Sequence, residues 1–260
     1  MDRESAPPGI DTSRAHPARV YDYWLGGKDN FAADRDLAER TLAMCPELPQ
    51  WARDNRAFVC AAAERAARAG ITQFIDLGCG LPTRPAVHDA VKPVSADATV
   101  AYVDYDPVVV LHAKALLNDT GLTAVQADLT DPDAVLADPG LRELIDPARP
   151  ACAIFGGVLH FKSPDQARRI CADWADRLAS GSWLAVTVGR YQDPELLARL
   201  TSIYTPAPFH NHTPGEFATF LAGLDLVAPG VAEARRWRSG VVAGLPDRGL
   251  YALCAAAIKS

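Results

Sequence analysis

Over roughly the first seventy residues the apolar side chains recur at helical spacing; beyond Thr72 they gather into short runs parted by helical stretches. The early part predicts a short helix over Pro17–Leu25, a break at Gly26-Gly27, a second helix over Phe31–Met44 and a stop from Pro46 to Pro49. A third helix follows over Gln50–Ala69. There Trp51, Phe58, Val59, Ala62 and Ala66 fall at i, i+7, i+8, i+11 and i+15 on one apolar face, and Gly70 terminates it. That face needs a partner, so the helix is expected to pack on the domain that follows. The later runs predict strands near Gln73–Leu77, Val100–Asp104, Thr123–Ala127, Ala151–Gly156, Trp183–Val188, Leu224–Val231 and Leu250–Ile258. Strands alternating with helices mark βαβ units. The expectation is therefore a doubly wound α/β sandwich on a mostly parallel sheet, residues 71–260, behind a helical cap, residues 1–70.

Several helix starts are written chemically. Asp106-Pro107, Asp131-Pro132 and Asp193-Pro194 each set a capping acid before a proline whose missing N–H costs nothing at the first helical position. Ser163-Pro164-Asp165-Gln166 and Thr213-Pro214-Gly215-Glu216 have the spacing of capping boxes, in which the two side chains satisfy two orphan N–H groups reciprocally.

In an open parallel sheet a ligand lies beyond the carboxyl ends of the strands. This chain places glycines and acids there in series. The first strand ends in Asp76-Leu77-Gly78-Cys79-Gly80, the second in Asp104-Tyr105-Asp106, the third in Asp128-Leu129 and the fourth in Gly156-Gly157-Val158-Leu159-His160. From 76 to 104 is 28 residues and from 104 to 128 is 24, each gap being one helix plus one strand, so the acids are expected along a single edge. The glycines let backbone approach a ligand, and an acid ending the second strand accepts both hydroxyls of a ribose. An acid ending the third strand supplies an acceptor for an exocyclic adenine amino group. A dinucleotide fingerprint would require glycine at position 83, where Thr83 stands behind Pro82, and no phosphate-binding loop ending in Lys-Ser/Thr is present. Adenosine without a polyphosphate is the better match, and S-adenosylmethionine meets that description. Asp106, ahead of Pro107, reads as a helix cap rather than a ligand. Tyr105 either flanks the adenine face or covers the sheet edge.

Composition narrows the partners. The 26 Lys and Arg against 32 Asp and Glu give a net charge of −6, so no global positive field recruits nucleic acid or an anionic membrane. The six cysteines form neither CxxC pairs nor a Cys/His ligand spacing, so no metal is expected and a reducing cytoplasm is the expected compartment. The amino terminus lacks a basic region followed by an apolar stretch, and no apolar run reaches the roughly 18 residues of a membrane helix. His210-Asn211-His212 reads as a polar loop before the Thr213 cap, and Arg235-Arg236-Trp237-Arg238 as a solvated strand end.

The run FIDLGCGLP, followed by VAYVDYDP, VQADLTDP and IFGGVLHF, resembles the motif series of class I S-adenosylmethionine-dependent methyltransferases over Thr72–Ser260. RVYDYWLGGKDNFAADR with GLPTRPAVHD resembles more narrowly a bacterial S-adenosyl methyltransferase family once filed as a domain of unknown function (DUF574), over nearly the whole chain. The resemblance implies a seven-stranded Rossmann-like sandwich with an antiparallel last strand and an N-terminal helical cap, S-adenosylmethionine as cofactor, and methyl transfer. Position by position, it implies that Asp76, Gly78 and Gly80 border the methionine part, that Asp104 holds the ribose, and that Asp128 with Leu129 meets the adenine. Tyr105 and Gly156 complete the candidate cofactor set. Pro82 departs from the pattern, since many relatives carry a third glycine there.

His160 follows the fourth strand, where the methyl acceptor approaches in such folds; it is the candidate general base, against the plainer reading of a packed histidine. GGVLHF stands where amide- and amine-methylating relatives resemble one another in (D/N)PPY, so a small-molecule acceptor is the default. Arg19, Tyr21, Asp22, Tyr23, Gly26, Gly27, Lys28, Asp29 and Asn30 crowd polar and aromatic groups around a glycine pair. They are expected to form a lid, with Tyr21, Tyr23, Gly26, Gly27, Lys28 and Asn30 as lid or acceptor contacts. The bland alternative is a cap that only completes the core. A non-catalytic S-adenosylmethionine-binding sensor or interaction module would keep the same cofactor residues without an acceptor pocket. A nicotinamide oxidoreductase is opposed by the missing third glycine.

Overall fold

The computed structural model describes residues 11–116, 119–240, 245–246 and 249–260. Its strands are β1 (Gln73–Leu77), β2 (Thr99–Asp104), β3 (Leu122–Gln126), β4 (Cys152–Gly156), β5 (Trp183–Tyr191), β6 (Asp225–Leu226), β7 (Ala232–Glu233) and β8 (Leu250–Ile258). They form one sheet in the order β3-β2-β1-β4-β5-β8-β6, with β7 also paired to β8. Strands β1 to β5 are parallel, and β8 runs antiparallel to β5 from Trp183↔Ile258 to Tyr191↔Leu250. The strand order reverses between β1 and β4, which opens a crevice at their carboxyl ends.

The apolar runs become strands because both faces are covered. Phe74, Val100, Cys152, Ala185 and Cys254 feed the core on one face, and their neighbours Ile75, Ala101, Ala153, Val186 and Leu253 feed the core on the other. On the first face lie α1 (Pro17–Trp24), α2 (Ala32–Met44) and α3 (Leu48–Arg68). Ala52, Ala62, Ala63 and Ala66 of α3 are fully buried, and such small side chains let the helix settle close on the sheet. Val20 and Leu37 share this core with Phe74 and Ala256, so the core runs continuously across residue 70. Short α4 (Val87–Val91) and α5 (Pro107–Leu116) complete that layer beside β2 and β3. On the second face α6 (Pro132–Ala137), α7 (Pro139–Arg142) and α8 (Pro164–Arg177) cover the sheet, α8 through Ile170, Cys171 and Trp174. Helices α9 (Pro194–Ile203), α10 (Pro214–Thr219) and α11 (Ala234–Ser239) follow.

The chemically written starts hold. Asp131 accepts from Ala134 N at 3.0 Å, Asp193 from Glu195 N at 2.9 Å, and the Ser163 and Thr213 boxes cap α8 and α10. Three local expectations change. Pro49 does not stop a helix but sits in the first turn of α3, where its missing N–H is harmless. The expected strand over Leu224–Val231 is split: β6 ends at Leu226, a turn through Pro229 and Gly230 (φ 85°) intervenes, and pairing resumes at Ala232↔Cys254. Arg235–Arg238 lies in α11 rather than at a strand end. No described helix is long and apolar enough to cross a membrane.

Candidate active site

At the carboxyl edge of the sheet the chain leaves β1 through a turn that glycine alone fits. Gly78 and Gly80 adopt φ of 71° and 64°, and a Cβ on Gly78 would stand 2.5 Å from Val158 Cγ1. Asp104, ending β2, accepts from Gly80 N on one carboxylate oxygen and from Asp106 N on the other, both at 3.0 Å. These bonds fix a buried carboxylate that retains lone pairs for further donors. Burial raises its pKa, and the two N–H groups oppose the rise. Asp106 caps α5 by accepting from Val108 N at 2.8 Å. Asp128 is exposed and accepts from Thr130 N at 2.8 Å, while Leu129 O accepts from Trp174 Nε1 at 2.8 Å.

Asp76 is buried behind this rim, and its Oδ2 has no partner. Burial pushes its pKa up to about 6; the Arg56 guanidinium opposes the rise and Asp104 adds to it. Arg56, on α3, donates through Nη2 to Pro85 O at 3.0 Å and keeps a buried Nε with no partner. A carboxyl and a guanidinium with unused hydrogen-bonding atoms complement a zwitterion such as the amino-acid head of a ligand.

These groups adjoin a cavity of about 570 Å³, a size that encloses an organic ligand. One wall is the strand edge, with Gly78, Gly80, Asp104, Asp128, Leu129 and Gly156. The opposite wall is aromatic, with Trp24, Trp51, Tyr191, Tyr204 and Phe209. Tyr105, Tyr21 and His160 also border the cavity, whereas Asp76 lies behind its wall. A Cβ on Gly156 would stand 2.8 Å from Val59 Cγ2, so that glycine admits α3 to the sheet.

The glycine pair ahead of α2 is locked rather than hinged. Gly26, at φ 81°, ends α1 in the left-handed region. A Cβ on Gly27 would overlap the Asp22 carboxyl. Asp22 Oδ2 accepts from Asp29 N at 3.0 Å and from Asn30 Nδ2 at 2.9 Å, and Asn30 Nδ2 also donates to Gly27 O at 3.1 Å. Behind this knot Arg19 Nε donates to Asp34 at 2.8 Å in a buried ion pair. Tyr23, Gly26, Gly27, Lys28 and Asn30 do not border the cavity, and the Tyr23 hydroxyl donates to Glu39 at 3.0 Å. Of the expected lid contacts only Tyr21 reaches the cavity; burial pushes its pKa up to about 12, and its hydroxyl donates to Ala52 O at 2.9 Å.

His160 is on the cavity wall, but its chemistry differs from that of a base. Its Nδ1 accepts from Gly189 N at 3.3 Å, which puts the proton on Nε2 and makes that nitrogen a donor. Burial lowers its pKa to about 3, with His212 adding to the effect. An imidazole this weakly basic is neutral near pH 7 and has little affinity for a proton.

Three contributors escape a reading of the sequence. Asn55 sits four residues after Trp51 and four before Val59, a polar residue on an apolar stripe, and that interruption was the available signal. It donates to the Tyr21 hydroxyl at 2.8 Å and accepts from Thr187 Oγ1. Arg56 carries no such signal. His16 accepts from Ala18 N on Nδ1, leaving Nε2 3.3 Å from Asp106 Oδ2 and 3.2 Å from the Tyr105 hydroxyl, so α1 is pinned to the end of β2.

The reversed strand order, the glycine turn and the rim carboxylate define a class I methyltransferase fold. The chain belongs to the S-adenosyl methyltransferase family, whose model matches residues 3–258, and S-adenosylmethionine is the cofactor of that family. Among solved structures it resembles a Thermobifida fusca YX protein assigned as a methyltransferase, with 37% identity, TM-score 0.87, and 97% of this chain and 98% of that one covered. A DUF574 family protein from Streptomyces avermitilis MA-4680 is 34% identical, with TM-score 0.87 and coverage of 96% and 99%. A Mycolicibacterium smegmatis protein assigned as an S-adenosyl-L-methionine-dependent methyltransferase is 35% identical over 128 residues, 46% of this chain and 39% of that protein. The chain thus spans about two fifths of that relative's length.

Proposed function

We propose that the chain transfers the methyl group of S-adenosylmethionine to a small-molecule acceptor. One observation carries the proposal: groups suited to a nucleoside and an aromatic wall bound the same cavity. In this reading Asp104 accepts from the ribose hydroxyls, Asp128 and Leu129 meet the adenine beside Tyr105, and the turn through Gly78 and Gly80 carries backbone past the ligand's chain, with Gly156 on the same wall. Arg56, on the cavity wall, pairs with the carboxylate of the amino-acid head, and Asp76 behind that wall balances the Arg56 charge. When bound, the cofactor supplies a methyl group already activated by the sulfonium charge. The protein's work is alignment and the exclusion of water. Helix α1 roofs the site through Pro17, Ala18 and Tyr21, held there by the His16–Asp106 contact and the buried Arg19–Asp34 ion pair. His160 acts as a donor toward the acceptor rather than as a base.

A sensor that only binds the cofactor needs the strand edge alone, so the aromatic wall favours a catalyst. Incubation with methyl-deuterated cofactor and fractionated bacterial metabolites, followed by mass spectrometry, tests this. Labelled product should appear one for one with S-adenosylhomocysteine; bound cofactor without label transfer to any fraction would instead support the sensor.

A further inference from the structure

The cavity wall is divided by charge. Its charged side chains are Arg56, Asp104, Asp128 and Lys162, on α3, at the ends of β2 and β3 and after β4. The wall contributed by α1, Trp51, Tyr191, α9, residues 204–210 and Leu250 includes no Lys, Arg, Asp or Glu, and His210 is its one imidazole. Rings occupy it at mixed angles. Trp24 stacks on Tyr204 at 6.4 Å and 29° and meets Trp51 edge-on at 6.4 Å and 81°. Tyr191 meets Phe209 edge-on at 5.4 Å and 82°. Leu197 and Leu200 of α9 fill in beside them.

From this division we propose that the aromatic half of the cavity receives an uncharged, planar aromatic molecule as the methyl acceptor. A lone pair of the acceptor forms the bond to the methyl carbon as the C–S bond breaks with its electron pair passing to sulfur. S-adenosylhomocysteine is the leaving group, and the proton freed from the methylated atom passes to bulk water. The inference rests on the reading that the strand edge holds S-adenosylmethionine. A flat ring entering this wall buries its faces against indole, phenol and leucine side chains and gains edge and face contacts. A carboxylate or ammonium would lose its hydration there and find no permanently charged partner. Burial also keeps the Tyr191 and Tyr204 hydroxyls protonated, so neither supplies one.

The test uses the full chain saturated with S-adenosylhomocysteine and titrated with 2-naphthol or with 2-naphthoate of similar size, read by tryptophan fluorescence and calorimetry. The neutral probe should bind at least tenfold more tightly. Leu197→Lys should reverse that preference by giving naphthoate a partner. Thr201→Lys, at an exposed position on the cavity's rim, should shift it the same way without burdening the core. Equal or tighter binding of naphthoate to the unaltered protein, or no binding of naphthol, overturns the inference. The two readings fail separately: absent S-adenosylhomocysteine binding with naphthol still preferred removes the cofactor assignment and leaves the apolar chamber standing.

Discussion

The backbone N–H of Gly189, on β5, donates to Nδ1 of His160 at 3.3 Å, and this contact fixes which imidazole nitrogen carries the proton. The residue best placed by sequence to act as a base is thereby turned into a donor, and burial holds its pKa near 3. Alignment, rather than proton abstraction by His160, has to supply the rate.

Stability should depend on pH through this group in a defined direction. Unfolded His160 takes up a proton below about 6.5, folded His160 only near about 3, so its contribution is present above the upper value and is lost as pH falls through that window. Asp76 works the other way. Its folded pKa of about 6 lies above the unfolded 3.8, so its contribution is present at low pH and is lost as pH rises through about 6. His160→Gln should remove the first dependence, flattening the acid loss by up to about 1.4 kcal/mol per pH unit. Denaturant titrations of both proteins between about pH 4 and 6 measure it, and parallel curves would refute the assignment.

Asp104→Ala and Asp106→Ala should separate. On the proposed reading the first removes acceptors for two ribose hydroxyls, each charge-assisted bond being worth roughly 1.5–3 kcal/mol, so cofactor affinity should fall at least a hundredfold. The second removes a helix cap, costing about 1 kcal/mol of stability. Calorimetry paired with thermal melting distinguishes them; loss of ligand by Asp106→Ala alone would reverse the roles.

Arg56→Met should weaken S-adenosylhomocysteine binding more than tenfold while leaving methylthioadenosine, which lacks the amino-acid head, unaffected. Equal loss for both ligands would mean that Arg56 only holds the Pro85 turn.

Gly27→Ala should destabilise the fold by about 1–3 kcal/mol, because its Cβ displaces the Asp22 carboxyl that Asn30 and Asp29 hold. Gly26→Ala should cost about 1–2 kcal/mol for its left-handed backbone. A flexing hinge would instead show altered turnover with unchanged melting.

What the sequence disclosed and what it withheld follow one physical division. Strand-end acids, capping prolines and capping boxes act on neighbours within a few residues, so Asp104, Ser163 and Thr213 could be placed from spacing. The site's other half depends on contacts across the sheet. Asn55 reaches Thr187 over 132 residues of chain, and His160 owes its tautomer to Gly189. The glycine pair misled because the same residues serve hinges and tight knots, and only the Asp22 carboxyl beside Gly27 decides between them. The strand over Leu224–Val231 failed at Pro229-Gly230, a turn signal within an apolar run.

The strand edge should bind an adenosine joined to an amino acid and exclude polyphosphates. Titration calorimetry of the full chain against S-adenosylhomocysteine, S-adenosylmethionine, ATP and NADH tests it directly. The two sulfur compounds should bind at one equivalent per chain, at least a hundredfold more tightly than either phosphate compound. Binding of NADH or ATP with comparable or greater affinity would contradict it.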